Sequence, residues 1–531
     1  MSNYIITYDV GTTGIKTCLF DVGATIELKA AAMEGYKLYV LENGGVEQDT
    51  AEWWNAMCVT TQKIFKTYDV DPKEILGISF CSQGQGLVLV DKDCNPVRRA
   101  MSYMDQRARE EIKKGMAHGL QIAGANVVKL LKSLYYTGAV SASVKDPVWK
   151  YKWVEAHEPE NFKKAYRWLD VKEFLISQCT GECVMTEDSA FATLIYDIRK
   201  KEWSKPMCKM IGVNMDHLAP IVKSTDCVGT VTAKAARDLG LAEGTKVFGG
   251  GIDASLIGVG AGATEVGDTH IYSGTSGWVG TVVDKSMVDT SAMIAATVGA
   301  ESGKYNYFAE METSGKCLEW VKNHLALDEI GIYLKKTNVT EAEDIEKKYT
   351  SLYDYMTAVC NTIPAGCGGV IFAPWLHGNR CPFEDPNSRG MFFNISLETG
   401  KTELIRAVLE GVCFHQRWML EAEAKKAKIS DAIRFVGGGA LSSFTSQLLA
   451  DITGHEVEVV KDPQNVGAVG ACACVAAGLG LIESVSKVKD YIEVEKRFKP
   501  NPELKPVYDK NFEVFKQLYK ANKANFAMLN K

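Results

Sequence analysis

Two short turns carry hydroxyl groups and glycines, and the first of them comes just after a carboxylate. Gly-Thr-Thr-Gly at residues 11–14 follows Asp9, and Gly-Thr-Ser-Gly spans residues 274–277. Turns of this composition expose backbone N–H groups and hydroxyl donors with no bulky side chain in the way, and such concave donor sets bind phosphate oxygens. One such turn is weak support, because hairpins need glycine anyway. Two matched turns favour a site that holds a polyphosphate from both sides.

The carboxylate of Asp9 would repel a bound phosphate unless a cation lay between them. This is the role expected of Mg²⁺, which prefers oxygen ligands and is often held through water. We therefore predict that Asp9 is a catalytic residue that binds the metal, and that Thr12 and Thr13 donate to the terminal phosphate. In the second turn, the residues expected to meet the polyphosphate are Gly274, Thr275 and Ser276.

A third glycine cluster, residues 437–439, ends a predicted strand and precedes a predicted helix that Gly454 caps. We expect Gly438, Gly439 and Ser443 to lie beside the nucleoside. Two common nucleotide motifs are absent from the sequence. No Gly-Lys pair has the spacing of a P-loop, and the glycines at 258–262 lack the spacing of a dinucleotide-binding fingerprint. The nucleotide must be held in another way.

Predicted strands and helices alternate through most of the chain, which indicates an α/β fold. The stretches around the two hydroxyl turns read as strand, turn and strand, and they lie about half a chain apart. We interpret this as an internal duplication. The expected domains are residues 1–250 and 251–531, each opening near a β-hairpin, with C-terminal helices packing back on the first domain.

Composition excludes several classes of protein. The 531 residues are too many for one typical core, and a net charge of -6 gives no sign of a nucleic-acid surface. The 15 cysteines show no Cys-x-x-Cys pair and no zinc spacing, so we expect reduced thiols in a cytoplasmic protein. The uncharged stretch 466–482 is rich in glycine and alanine, which favours a closely packed internal helix over a membrane span.

Four motifs occur in an order that resembles the FGGY carbohydrate kinases: Asp-x-Gly-Thr-Thr at the N-terminus, GGGIDASLIGVG in mid-chain, YSGTSG after it and FVGGGALSS near the C-terminus. The loop GNRCPFEDPNSRG and the segments at 390–411 and 147–160 are similar to those of the xylulokinase branch. The resemblance covers nearly the whole chain. It implies duplicated actin-like, ribonuclease-H-like ATPase domains with a cleft between them, ATP and Mg²⁺ as cofactors, a small sugar as substrate and a homodimer.

The resemblance also implies roles for individual residues. Asp253 matches the catalytic base of the family, although an aspartate at this position also suits the cap of the helix that follows. Lys16 matches a cationic residue of glycerol kinases, and a solvated strand residue is the alternative. The residues expected to bind ATP are Thr12, Thr13, Lys16, Gly274, Thr275, Ser276, Gly315, Gly438, Gly439 and Ser443.

The loop expected to bind the sugar departs from the xylulokinase pattern. Where that branch typically has Gln-Met-His-Gly, this chain has Gln83-Gly84-Gln85-Gly86. Gln85 can still bond a sugar hydroxyl as donor and as acceptor, and the change resembles the Gln-Gly-x-Gly of L-xylulose and erythritol kinases. Other residues expected at the sugar are Asp105, Arg107 and Asp253. Trp53 and Trp54 either form an apolar wall beside the sugar or pack in the core.

The sequence thus predicts an ATP-dependent kinase for a free, xylulose-like ketopentose, with an aspartate as general base. A kinase for L-xylulose, erythritol or another polyol of the same family is the alternative within this fold. Actin-like folds also serve as filament subunits and chaperone ATPases. A non-catalytic ATP-binding protein of that kind would lack the combination of Asp253, the Asp105–Arg107 segment and the GNRCPFEDP loop.

Overall fold

The computed structural model describes residues 2–117, 120–122, 125–326, 356–357 and 360–530. Two mixed β-sheets organise it, and each contains a hairpin whose turn is one of the two hydroxyl turns. In both hairpins the first strand also runs parallel to a later strand. This repeated arrangement confirms the predicted duplication in an α/β fold.

The first sheet has the spatial order Cys227–Thr230, Lys246–Phe248, Ile75–Ser82, Tyr4–Val10, Gly14–Val22 and Ile26–Gly35, with Gly251–Ile252 also paired to Ile75–Ser82. The second has the order Val288–Asp289, Ile294–Val298, Tyr305–Met311, Gly277–Val283, Thr269–Ser273, Ala432–Val436, Glu456–Val460 and Val494–Phe498. The shorter strands are Tyr39–Val40, Val46–Gln48, Val88–Val90, Ala100–Met101, Gln121–Ile122, Ala125–Asn126, Arg167–Leu169, Met185–Thr186, Tyr196–Asp197, Glu202–Trp203, Ile221–Val222, Ile371–Ala373 and Met391–Phe393.

Helices cover the sheets and help to form the two largest hydrophobic cores. The α-helices are Thr50–Thr67, Arg109–Met116, Val127–Thr137, Pro147–His157, Pro159–Phe162, Val171–Thr180, Glu187–Ala192, Lys205–Ile211, Ala233–Leu239, Asp253–Gly260, Gly315–Val321, Lys401–Glu423, Ser443–Thr453, Val466–Gly478 and Lys505–Asn530. The 3₁₀ turns are Pro72–Glu74, Met215–His217, Cys367–Gly369, Gly438–Leu441, Pro463–Asn465, Val485–Tyr491 and Pro502–Leu504, and Lys322–Ala326 is a π-turn.

The helix Val466–Gly478 is buried along nearly its whole length, as its glycine- and alanine-rich sequence predicts. It packs on the first sheet and on the helix Asp253–Gly260. A Cβ on Gly260 would lie 1.8 Å from the carbonyl oxygen of Val466, so this close approach of two backbones requires glycine. In the part of the chain that the structure describes, no helix is long and apolar enough to cross a membrane.

The two last helices pack on different halves of the molecule. Val466–Gly478 lies on the first sheet, whereas Lys505–Asn530 packs on the second half through aromatic contacts such as that of Phe515 with Trp375. The short strand Gly251–Ile252 pairs with the first sheet and leads directly into the helix Asp253–Gly260. Along the chain, the connection from the first sheet to the second therefore passes close to the predicted catalytic aspartate.

Candidate active site

Three parallel strands bring the two predicted catalytic carboxylates to one edge of the first sheet. Asp9, at the end of Tyr4–Val10, is paired in register with Cys81, and Gly251 pairs with the same Cys81. The chain beyond each strand must therefore emerge at this edge, where open α/β sheets bind their ligands. The residues that emerge there are Asp9, Gln83 and Asp253.

Both carboxylates have raised pKa values. Burial is the main cause for Asp253, whose pKa rises from 3.8 to about 7, and the negative charges of Asp9 and Glu310 add to the rise. Burial also raises the pKa of Asp9, while the charge of Lys16 opposes the rise. A carboxylate with a pKa near the working pH suits a general base. The carboxylate of Asp9 is also an oxygen donor of the kind that a divalent cation prefers.

Asp253 begins the helix Asp253–Gly260, and its Oδ1 accepts a hydrogen bond from the N–H of Ala254 at 2.7 Å. The N-cap of this helix is Ile252, so Asp253 is its first helical residue and not the N-cap. The helix start is itself anchored, because Asp188 accepts from the N–H of Ile252 at 2.7 Å and from the hydroxyl of Ser255 at 2.5 Å. Asp253 is thus held on a rigid element at the edge of the sheet.

The first hydroxyl turn closes through a hydrogen bond from the N–H of Gly11 to the carbonyl of Gly14. Thr13 is exposed at its tip. The Thr12 hydroxyl lies 3.4 Å from that of Tyr103, and its carbonyl accepts from the Gln48 amide at 2.7 Å. The turn thus presents Thr13 outward.

Lys16 lies opposite Asp9 in the hairpin, but its ammonium group is already engaged. It donates to the carbonyl of Gln464 at 3.1 Å and to the side-chain oxygen of Asn465 at 2.9 Å. These partners precede the helix Val466–Gly478. In this conformation Lys16 ties the hairpin to that helix.

The second hydroxyl turn is supported by the start of the helix Gly315–Val321. The N–H of Gly315 donates to the carbonyl of Gly274 at 2.7 Å, and the N–H of Lys316 donates to the carbonyl of Thr275 at 3.3 Å. A Cβ on Gly315 would lie 2.5 Å from the Gly274 oxygen, so a larger residue would push the turn away. Thr275 is exposed at its tip.

The third glycine cluster packs directly against the second turn. Gly437 has a φ of 89°, and a Cβ there would lie 2.7 Å from the Ser273 carbonyl. Gly438 is exposed, with open space beside it. A cavity of about 650 Å³ adjoins the cluster and is lined by Arg406, Leu441, Ser442, Ser443, Phe444 and Gln447 among others. Such a volume suits a small-molecule ligand.

The loop predicted to bind sugar contains one buried polar atom without a partner. Gln83 is 6% exposed and its amide nitrogen donates to Gln48 at 3.0 Å. Its Oε1 has no hydrogen-bond partner among the described residues. Since buried polar atoms are normally satisfied, this oxygen points to a ligand donor. Gly84 packs on Ile252, the residue before Asp253.

Asp105 and Arg107 are both engaged with other protein groups, and their predicted contact with the sugar stays a prediction. Asp105 has no exposed surface and accepts from the N–H of Val46 and from Arg107, the latter at 2.7 Å. Arg107 also donates to Glu47 at 2.7 Å and stacks over Trp153. This buried cluster supports the segment behind the site.

Of the two tryptophans, Trp53 is fully buried against Phe174 and belongs to the core. It therefore forms no wall of an open cleft. His415 is also buried, as expected, between the indole of Trp375 and the carbonyl of Cys381. Burial lowers the pKa of His415 to about 4.

Several residues at the site were missed by sequence reasoning. Gln48 connects the first turn with Gln83, and Lys150 and Asp170 hold the backbone of the sugar loop. The signal for Gln48 was the stretch Val-Glu-Gln-Asp just before a helix that Asp49 caps. The buried lysine is in the segment at 147–160, which gave no reason to expect a loop contact.

Three of the cations near the site, among the residues that the structure describes, already have partners. Arg380 contacts both Glu310 and Glu312, the latter at 2.7 Å. Arg107 is bound by Asp105 and Glu47, and Lys150 donates to a backbone carbonyl. Among the described residues there is no group of three or more His, Cys, Asp or Glu side chains arranged as metal ligands. A cation at Asp9 would therefore need ligands from phosphate or water.

Comparisons with known proteins cover nearly the whole chain. The N-terminal domain model of the FGGY family of carbohydrate kinases matches residues 4–260, and the C-terminal domain model matches 270–479. A xylulose kinase of Bacillus subtilis (strain 168) is 27% identical over 517 residues, which are 97% of this chain and 96% of that relative. A gluconokinase of the same organism is 27% identical over 504 residues, 94% of this chain and 92% of that relative. Ligand-bound xylulose kinase from Lactobacillus acidophilus has a similar structure, with a TM-score of 0.85, 25% identity and 99% coverage of each chain.

Proposed function

The chain belongs to the FGGY family of carbohydrate kinases, and on that premise we propose that it transfers the γ-phosphoryl group of ATP to a hydroxyl of a xylulose-like ketopentose. The observation that carries this proposal is the convergence of Asp9, Asp253 and the unpartnered Gln83 oxygen at one edge of the first sheet. A base, a cation site and a polar recognition group are the parts that such a transfer requires.

Asp253 acts as the general base in this proposal. Its carboxylate accepts the proton of the attacking sugar hydroxyl as the new O–P bond forms, and ADP leaves from the opposite side. The raised pKa of about 7 lets a substantial fraction be ionised near neutral pH. Anchoring by Asp188 through Ile252 and Ser255 keeps the carboxylate in place.

The nucleotide is held by donors from both halves. Thr12 and Thr13 donate to the γ-phosphate, and Asp9 holds Mg²⁺, which supplies charge neutralisation on the phosphates. The second hairpin adds Gly274, Thr275, Ser276 and, at the start of the adjoining helix, Gly315. The adenosine lies in the cavity by Gly438, Gly439 and Ser443. Lys16 reaches the phosphates only if its bonds to Gln464 and Asn465 are exchanged.

Movement of the two halves towards each other would complete the site. Water in an open cleft would compete with the sugar for the γ-phosphoryl group, so closure protects the reaction. Asp253 lies next to the connection between the halves, where a small rotation changes its distance from the second hairpin.

The charges around the site favour a neutral sugar. A sugar acid such as gluconate needs a cation for its carboxylate, but Arg380 is held by two glutamates and Arg107 by two carboxylates. Asp9 and Asp253 would repel an anionic substrate at short range. The sugar contacts proposed are Gln83, Gly84 and Gln85, with Asp105 and Arg107 supporting them from behind.

The test is ADP release with Mg·ATP against D-xylulose, L-xylulose, D-ribulose, L-ribulose, erythritol, glycerol and gluconate. Strong stimulation by one ketopentose that is lost in Asp253→Ala would support the proposal and name the substrate. Stimulation by erythritol alone would move the substrate to a polyol, and stimulation by gluconate would refute the charge argument. Equal slow rates with every compound would favour a non-catalytic ATP-binding protein.

A further inference from the structure

Gln85 adopts a backbone conformation that is unfavourable for its residue type. Its φ is 63°, in the left-handed region where residues other than glycine are uncommon. Such a conformation costs on the order of 1–3 kcal/mol and persists only where the surroundings enforce it. The neighbouring positions 84 and 86 are glycines, yet the left-handed position is occupied by glutamine. Contacts with neighbouring residues must therefore hold the loop in this conformation.

Two buried charged side chains form hydrogen bonds with the carbonyl and the N–H of a single peptide group in this loop. The ammonium of Lys150 donates to the carbonyl of Gln85 at 2.7 Å, and Asp170 Oδ1 accepts from the N–H of Gly86 at 2.9 Å. This carbonyl and this N–H belong to the same peptide bond. Hydrogen bonds to charged groups in a poorly solvated site are stronger than neutral ones. The orientation of the peptide is therefore strongly constrained.

We call the pair Lys150 and Asp170, which together hold the Gln85–Gly86 peptide, the clamp. It is built on helices of the first domain. Lys150 is in the helix Pro147–His157 and has no exposed surface, and Asp170 precedes the helix Val171–Thr180 and is 3% exposed. Asp170 also accepts from the N–H of Val171. A Cβ on Gly86 would lie 2.6 Å from Asp170 Oδ1, so the amide can approach the carboxylate only because residue 86 is glycine.

The other side of the loop rests on the element that carries the base. A Cβ on Gly84 would lie 3.1 Å from Ile252, whose next neighbour is Asp253. The Gln85–Gly86 peptide is thus fixed between two buried charges on one side and the segment leading to Asp253 on the other. A change in the clamp would change where the Gln85 side chain lies relative to the base.

We propose that Lys150 and Asp170 are positioning residues of the sugar site, which hold the Gln85–Gly86 peptide and so direct the Gln85 side chain to the substrate. The inference rests on the proposed function, because it requires a sugar beside Gln85. It assigns the segment at 147–160 a part in sugar recognition. The nucleotide site lies on other elements and should be unaffected.

The first experiment compares Lys150→Met with Lys152→Met in steady-state kinetics. Lys152 is in the same helix but contacts Glu155 and the carbonyl of Gly212 near the surface. Loss of a buried charged hydrogen bond predicts a roughly 10- to 100-fold fall in kcat/KM for the sugar, carried mainly by KM. The KM for ATP should stay within about twofold, since ATP is bound elsewhere. Equal losses for sugar and ATP would overturn the proposal.

A double-mutant cycle tests whether the clamp acts through Gln85. Glycine accepts a positive φ freely, so in the Gln85→Gly background the added Lys150→Met change should cost little more. If Lys150→Met lowers kcat/KM by the same factor in the Gln85→Gly background as in the wild type, action through Gln85 is refuted. The reason is that the free-energy effects of independent residues add. If Lys150→Met does not fold, Asp170→Asn serves the same cycle. It keeps an Oδ1 acceptor for Gly86 but loses the charge.

Deuterium exchange separates failure of the clamp from failure of the proposed function. In Lys150→Met, amide exchange in a peptide spanning residues 83–90 should rise at least severalfold over the wild type and over Lys152→Met. Unchanged exchange would overturn the clamp whatever the activity. If no sugar stimulates the wild-type protein while exchange still rises, the clamp stands as a structural feature and its role in sugar positioning is refuted along with the proposed function.

Discussion

The ionised carboxylate of Asp253 destabilises the unliganded protein, and Asp253→Asn should remove that cost. Burial together with the charges of Asp9 and Glu310 raises its pKa from 3.8 to about 7. At pH 8 the folded protein therefore holds a charge that water would solvate better in the unfolded chain. Asparagine has the same shape, and its oxygen can still accept the N–H of Ala254 that Oδ1 now accepts.

The size of this stability gain follows from the difference between the pKa of Asp253 in the folded protein, about 7, and its ordinary value of 3.8. One pKa unit corresponds to about 1.4 kcal/mol, so the shift corresponds to roughly 4 kcal/mol at pH 8. Because Asp253 keeps some contact with solvent, we expect Asp253→Asn to gain on the order of 2–4 kcal/mol. A raised carboxyl pKa destabilises the folded protein at any pH where the unfolded carboxyl is ionised, because folding must then either take up a proton or bury the charge. The gain should therefore grow from about pH 4 to pH 7 and stay constant above it.

The assay is urea unfolding of the unliganded wild type and Asp253→Asn at pH 5 and pH 8 without Mg²⁺. The variant should be inactive yet more stable than the wild type at pH 8. The difference in their free energies of unfolding should be less than half as large at pH 5 as at pH 8. Asp284→Asn, at an exposed position, controls for loss of a surface charge. A variant that is no more stable than wild type at pH 8, or a gap that does not depend on pH, would refute the reasoning.

Four further predictions concern the catalytic and nucleotide sites. The kcat/KM for the sugar should fall about tenfold per pH unit well below pH 7, because the base Asp253 becomes protonated; a flat profile from pH 5 to 8 would contradict this. Gly315→Ala should raise the KM for ATP roughly tenfold or more while sparing the sugar KM, because its Cβ would lie 2.5 Å from the Gly274 oxygen. Ser443→Phe should fill part of the 650 Å³ cavity and weaken ATP binding in calorimetry; unchanged affinity would place the nucleoside elsewhere. Chelation of Mg²⁺ should abolish ADP release, with recovery on adding it back, and in Asp9→Asn the Mg²⁺ needed for half-maximal rate should rise at least severalfold.

Local composition was sufficient to predict much of the architecture. Strand-forming stretches around the turns at residues 11–14 and 274–277 indicated two hairpins, and the structure has both. The glycine- and alanine-rich stretch at 466–482 indicated a packed helix, and most of it is one. Such features depend on properties of neighbouring residues: turn conformation, β-propensity and side-chain size. The order of the motifs along the chain similarly indicated the family.

Burial and partner choice were decided by the tertiary structure. The sequence assigned Asp105 to the sugar site, but it did not indicate that this carboxylate is buried and paired with Arg107 and the N–H of Val46. Lys16 is held by Gln464 and Asn465, more than 440 residues away in the chain.

The clamp of Lys150 and Asp170 on one peptide likewise joins three segments that are far apart in sequence. The order and types of residues along the chain were enough to identify the family, the two hairpins and the groups available for phosphoryl transfer. The tertiary structure alone decided which of those groups is exposed, paired or buried. The reason is that desolvation and charge pairing depend on distances in space, which the spacing of residues along the chain does not determine.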